Sequence, residues 1–164
     1  MNDEKGQLSG EYMLLVGSLI VVLMISIFMI ANENELNIAM AAAKSGADEG
    51  VASPSSAIYP KETFNEYDDM EGLKHPYSVS IVNVSYNSSG IDENYGKQKI
   101  QFKVYAKASV DYNKKELDSI GDRINYNLRK SVATSFNTTD STNKLYNPVF
   151  SNNYVFTTAN VVWV

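Results

Sequence analysis

An α+β protein is what this sequence predicts: a long N-terminal hydrophobic helix carrying a small C-terminal head of antiparallel strands and one amphipathic helix. Three observations carry that prediction. The run Met13–Ala31 is apolar and uncharged over a membrane-spanning length. Tyr77–Tyr86 and Gln98–Val110 alternate apolar and polar residues, as half-buried strands do. Asn113–Phe136 repeats its apolar residues at the helical period.

Met13–Ala31 contains only Met, Leu, Val, Ile, Phe, Ala, Gly and Ser. At a rise of about 1.5 Å per residue, its roughly nineteen residues make a helix of roughly 28 Å, close to the roughly 30 Å hydrocarbon core of a bilayer. A secretory signal has a positive leader, a shorter apolar core and a small-residue cleavage site behind it. Here Met1–Gly6 carries Asp3 and Glu4 beside Lys5, and no such site follows the run before the helix-favouring Asn32–Lys44. The one processing-like site precedes it, at Gly6-Gln7. Lys5 before the span and Glu33 and Glu35 after it bias the N-terminus to the cytoplasm.

The octapeptide Lys5-Gly6-Gln7-Leu8-Ser9-Gly10-Glu11-Tyr12, running straight into the apolar helix, resembles the class III signal peptide of euryarchaeal type IV pilins. The resemblance runs through the helix to about Ala52. It implies cleavage between Gly6 and Gln7 by a prepilin peptidase on the cytoplasmic side. The leader would then be 1–6, the long helix 7–52 with its span at 13–31, and the extracellular head 53–164. It also makes Glu11 the acid that such pilins carry near the new N-terminus. By the same resemblance the mature chain is a homo-oligomeric subunit, membrane-held before assembly and part of an extracellular pilus afterwards, with the helix as filament core.

A carboxylate at a membrane boundary is expensive to bury unless it is neutralised or paired. Two readings of Glu11 follow. It sets the axial register of assembly by pairing with the freed α-amino group of Gln7 on a neighbour, or it is an interfacial acid at the positive end of the helix dipole.

Composition narrows the remaining classes. At 164 residues the chain holds one helix and one small domain, and its formal charge of −5 argues against a nucleic-acid partner. It has no cysteine, so disulfides and thiolate sites are excluded. His75 is the only histidine and precedes Pro76 without a partner at triad or metal-ligand spacing. The cluster Asp68-Asp69-Met70-Glu71 lacks the spacing of a calcium loop. No glycine-rich phosphate loop occurs. The sequence therefore points to no catalytic residue, metal or cofactor, and to a protein that is not an enzyme.

Asn32–Ala52 keeps a helical composition with a slim, alanine-rich apolar face, expected to pack on the head. Gly10, Gly17, Ser18 and Ser26 permit close approach of neighbouring helices, or are incidental to a lipid-facing anchor. Ala52-Ser53-Pro54-Ser55-Ser56 marks the boundary between helix and head, because proline disfavours helix at the residue before it. Asn87–Lys97, with its Ser-Ser-Gly and Tyr-Gly turn signals, joins the first two strands into an antiparallel hairpin. In the following helix Leu117, Ile120, Ile124, Leu128, Val132 and Phe136 form the apolar face, with Lys, Asp and Arg elsewhere. Asn153–Val164 is a further strand, its apolar end Val161–Val164 expected to be buried in the sheet.

Three sequons, at Asn83, Asn87 and Asn137, are candidate glycosylation sites, the latter two in predicted loops and Asn83 inside a strand. The eleven tyrosines, concentrated in the head, suit strand and surface contacts, an adhesive face among them. Two functional readings follow. One is a structural pilin that supports surface attachment. The other is a minor pilin or membrane-anchored surface binding protein that does not polymerise in bulk.

Overall fold

The computed structural model describes residues 3–52, 78–139 and 148–164, with the backbone alone for 3–9. Pro54, the Asp68–Glu71 cluster, His75 and Tyr77 lie outside the described residues. In chain order the elements are α1 (Asp3–Ala52), β1 (Val79–Asp92), β2 (Lys97–Ala108), α2 (Lys114–Ser135), β3 (Val149–Phe150), β4 (Tyr154–Thr158) and β5 (Val162–Trp163). The fold is α+β: a long apolar N-terminal helix, then a small mixed sheet and a second helix. Two units are distinguished, residues 1–36 and residues 37–164, so the last turns of α1 belong with the head.

The sheet is ordered β1-β2-β4-β3, with β5 also on β2. β1 and β2 form the expected antiparallel hairpin, from Val79 opposite Ala108 to Asp92 opposite Lys97. Its loop is shorter than predicted, only the four residues between Asp92 and Lys97, closed by the Gly96 amide on the Asp92 carbonyl at 2.8 Å. The Ser88-Ser89-Gly90 stretch is not a turn. It is a register shift between Ser88 and Ile91, and Gly90 takes φ +82° there, a conformation that costs glycine little. A second shift between Ile81 and Asn83 changes the parity of β1, so that both Val79 and Val84 are buried while Val82 is exposed.

The sheet is mixed where antiparallel strands were expected. β4 and β5 both run parallel to β2, pairing Gln98 with Tyr154, Phe102 with Thr158, and Ala106 with Trp163. The physical reason is α2. A helix between two strands returns the chain across the sheet, so that the next strand starts from the same end as the first. β3, too short to show a period, pairs antiparallel with β4. β4 therefore lies inside the sheet, as a packed strand should, but Val164 is 62% exposed and Val161–Trp163 are only half-buried.

α2 begins with a reciprocal cap. The Asn113 Oδ1 accepts from the Glu116 amide at 2.9 Å and a Glu116 carboxylate oxygen accepts from the Asn113 amide at 2.8 Å. Ile120, Ile124, Leu128 and Val132 are buried, as their spacing requires. They meet Ile100, Phe102, Val104 and Ala106 of β2 and Phe156 of β4 in one apolar core. Phe156 is stacked by Phe102, Phe136 and Tyr154 with ring centroids 5.6 to 5.8 Å away.

The polar positions of α2 differ from expectation. Arg123, Asn125, Asn127 and Arg129 are buried rather than solvated. The helix is covered on a second flank by the end of α1, where Ala39, Ala42, Ala43, Gly46, Ala47 and Gly50 turn one small-residue stripe inward. A Cβ built on Gly46 would lie 2.7 Å from the Ser131 Cβ, and one built on Gly50 would lie 2.8 Å from the Ile124 Cα. Only glycine lets the two backbones come this close.

Candidate functional site

Two regions carry chemistry: the exposed apolar part of α1 in the first unit, and a cleft in the head. In the first unit the backbone at Gly6 and Gln7 is helical, continuous with the apolar stretch 13–31. Gln7 and Glu11 are four residues apart and so share one helix face. Glu11 is exposed and makes no ion pair with a described residue. From Tyr12 onward the helix shows apolar side chains on all sides, with Leu14 76% and Phe28 63% exposed. Gly10 and Gly17 open onto empty space, while the Ser18 and Ser26 hydroxyls donate back to the Leu15 and Val22 carbonyls. Those bonds hide the only hydroxyls of the stretch 13–31 and leave its surface hydrocarbon. Among the described residues this is the one helix long and apolar enough to cross a membrane.

The sequons fall in two places. Asn83 and Asn87 lie four residues apart on β1 between its two register shifts, opposite Tyr105 and Gln101, and both are exposed. Asn87, expected in a loop, is thus within a strand. Asn137 follows α2 with φ 54°, a left-handed conformation that asparagine tolerates, and is exposed.

The cleft, of about 360 Å³, was not visible in the sequence. It opens between the first turns of α2 and the chain around β5, and is lined by Lys114, Leu117, Asp118, Gly121, Asp122, Asn125, Asn160, Val161 and Trp163. Its shape comes from an irregularity. From Phe102 to Tyr105 β2 advances three residues, while its partner advances four, from Thr158 to Val162. The extra residue in 159–161 breaks the parallel strand into β4 and β5. Asn125 secures the break by donating its Nδ2 to the Ala159 carbonyl at 3.0 Å, and Arg129 Nη1 donates to the Thr158 hydroxyl.

Asn125 is 7% exposed, and its Oδ1 has no hydrogen-bond partner. Two residues earlier in α2, Arg123 is also buried with Nε unpartnered, and burial pushes its pKa below the usual guanidinium value. Signals for the cleft did exist: Lys114, Asp118, Asp122 and Asn125 recur at steps of four, four and three. They read as a solvated helix face because nothing local says that Trp163 folds back against them. No group of three or more His, Asp or Glu residues able to hold a metal occurs among the described residues. No protein-family model, curated protein or solved structure matches the chain.

Proposed function

We propose that the chain is a structural pilin, polymerising through its N-terminal helix after removal of residues 1–6, and supporting attachment of the cell to surfaces. The observation that carries this reading is the hydrocarbon surface of α1 from Met13 to Ala31, exposed on every side and joined without interruption to a folded head unit. Soluble monomers do not leave apolar area of this extent open, and it demands lipid or copies of itself. The leader motif, which resembles that of euryarchaeal type IV pilins, supports processing at Gly6-Gln7 by a prepilin peptidase. The precursor is then a single-pass membrane protein with a cytoplasmic N-terminus, and the mature subunit part of an extracellular filament. Glu11 serves axial register, and Asn83, Asn87 and Asn137 are the candidate glycan carriers.

Intact and N-terminal mass spectrometry of the protein from its native cells tests the reading. A mature chain beginning at Gln7, with mass increments removed by Asn→Gln changes at the sequons, is expected. A start at Met1, or a cut after Ala31, overturns the assignment. A second reading, a processed and anchored surface protein that binds a ligand without polymerising in bulk, is favoured by the cleft at Trp163. Electron microscopy of cells with and without the protein separates the two: filaments vanish under the first and persist under the second.

A further inference from the structure

We propose that the cleft between α2 and β5 is a saccharide site, taking one neutral hexopyranose unit against Trp163; the proposal holds under either functional reading and does not depend on assembly. The walls supply the first argument. Leu117, Val161 and Trp163 offer an apolar and aromatic surface in a cleft of about 360 Å³, near the small end of the roughly 300–1,000 Å³ typical of small-ligand sites. A pyranose has such a partner face of its own, the C–H side of the ring, with hydroxyls around its edge.

The polar lining supplies the second argument. Lys114 is a donor, Asp118 and Asp122 are acceptors, and Asn160 is both. A hydroxyl donates and accepts at once, so a mixed lining suits it. An anion is opposed by the two aspartates, and an organic cation by Lys114. A divalent ion wants six or more oxygens, and no third acid joins Asp118 and Asp122 among the described residues.

Asn125 supplies the third. Its amide donor is committed to the Ala159 carbonyl, which fixes the amide orientation and leaves Oδ1 as a buried acceptor without a donor. Oδ1 itself is closed off from solvent, so Asn125 serves the cleft by holding the 159–161 backbone in place before any ligand arrives.

Trp163 is the only tryptophan in the chain, so its fluorescence reports on this place alone. The full chain, held in a zwitterionic detergent that contains no sugar, is titrated with the methyl glycosides of glucose, galactose, mannose and N-acetylglucosamine. The expected result is a saturable change in emission with at least one of them, half-complete at roughly millimolar concentration. Asp118→Asn and Asn160→Ala, both at exposed positions that leave the thermal midpoint unchanged, weaken it about tenfold or more. Saturation-transfer NMR with Trp163→Phe gives a readout free of the reporter, and the transfer to the sugar falls. The proposal is overturned if none of the four glycosides changes the emission, if the change survives both substitutions, or if calcium chloride or butylammonium saturates the site instead.

Discussion

Gly46 of α1 and Leu128 of α2 meet backbone to backbone: a Cβ placed on Gly46 would fall 2.8 Å from the Leu128 Cα and 2.6 Å from the Asn127 carbonyl oxygen. Both contacts are to main chain, which cannot swing aside as a side-chain tip can. Gly46→Ala therefore destabilises the head by about 1–3 kcal/mol through overpacking, although alanine is the better helix former by about 1 kcal/mol. Differential scanning calorimetry checks it, with Gly17→Ala as the control. Gly17 has open space around it, so that variant leaves the head midpoint where it was. A Gly46→Ala midpoint at or above wild type would mean that the helices are not in this contact.

Asn113 holds the start of α2 through its reciprocal bonds with Glu116. Asn113→Ala is expected to lower head stability by about 0.5–2 kcal/mol, and Asn113→Ser to restore most of it, because serine also caps. Chemical denaturation of the three proteins, compared at equal slope, gives the ranking.

Arg123 is buried without a partner for Nε, and desolvation lowers its pKa. A base whose folded-state pKa is depressed holds its proton more weakly in the native state than in the unfolded one. The penalty is thus fully present at all pH below the folded value and fades only as pH rises through it, in the alkaline range. Arg123→Met removes the charge while keeping much of the volume. It is expected to leave stability unchanged or raise it by about 1 kcal/mol at neutral pH. A loss of several kcal/mol in the thermal unfolding of Arg123→Met would show that the guanidinium has a carboxylate partner after all.

Glu11→Ala separates the two readings of that acid. If Glu11 sets register, the variant is processed normally but yields few filaments on electron micrographs. Normal filament numbers would leave it as an interfacial acid favoured by the helix dipole.

The elements most legible in the sequence were those whose signal is periodic and whose partners are near in the chain. Ile120, Ile124, Leu128 and Val132 announce α2, and Ile100, Phe102, Val104 and Ala106 announce β2, because each series faces one side only. Strand direction was not legible in that way. Whether β4 runs with β2 or against it depends on how α2 crosses the sheet, and no local pattern in Tyr154–Thr158 records that. Burial of Arg123 and Asn125 was equally hidden, since it arises from α1 and from the Ala159 carbonyl, both distant in sequence. In the cleft, Trp163 looked like one more core residue of a strand, and only the extra residue in 159–161 places it against Asp118 and Asp122.

The parallel pairing of β4 and β5 with β2 has a consequence for biogenesis. As the chain leaves the ribosome, β1 and β2 can zip together at once, but the other edge of β2 stays bare until α2, β3 and β4 have all been made. During that interval Ile100, Phe102 and Val104 are a sticky template with no lid, the kind of surface on which nascent chains misjoin. The yield of folded head should accordingly be most sensitive to slow translation between Ser109 and Tyr154, and least sensitive to the same disturbance within α1.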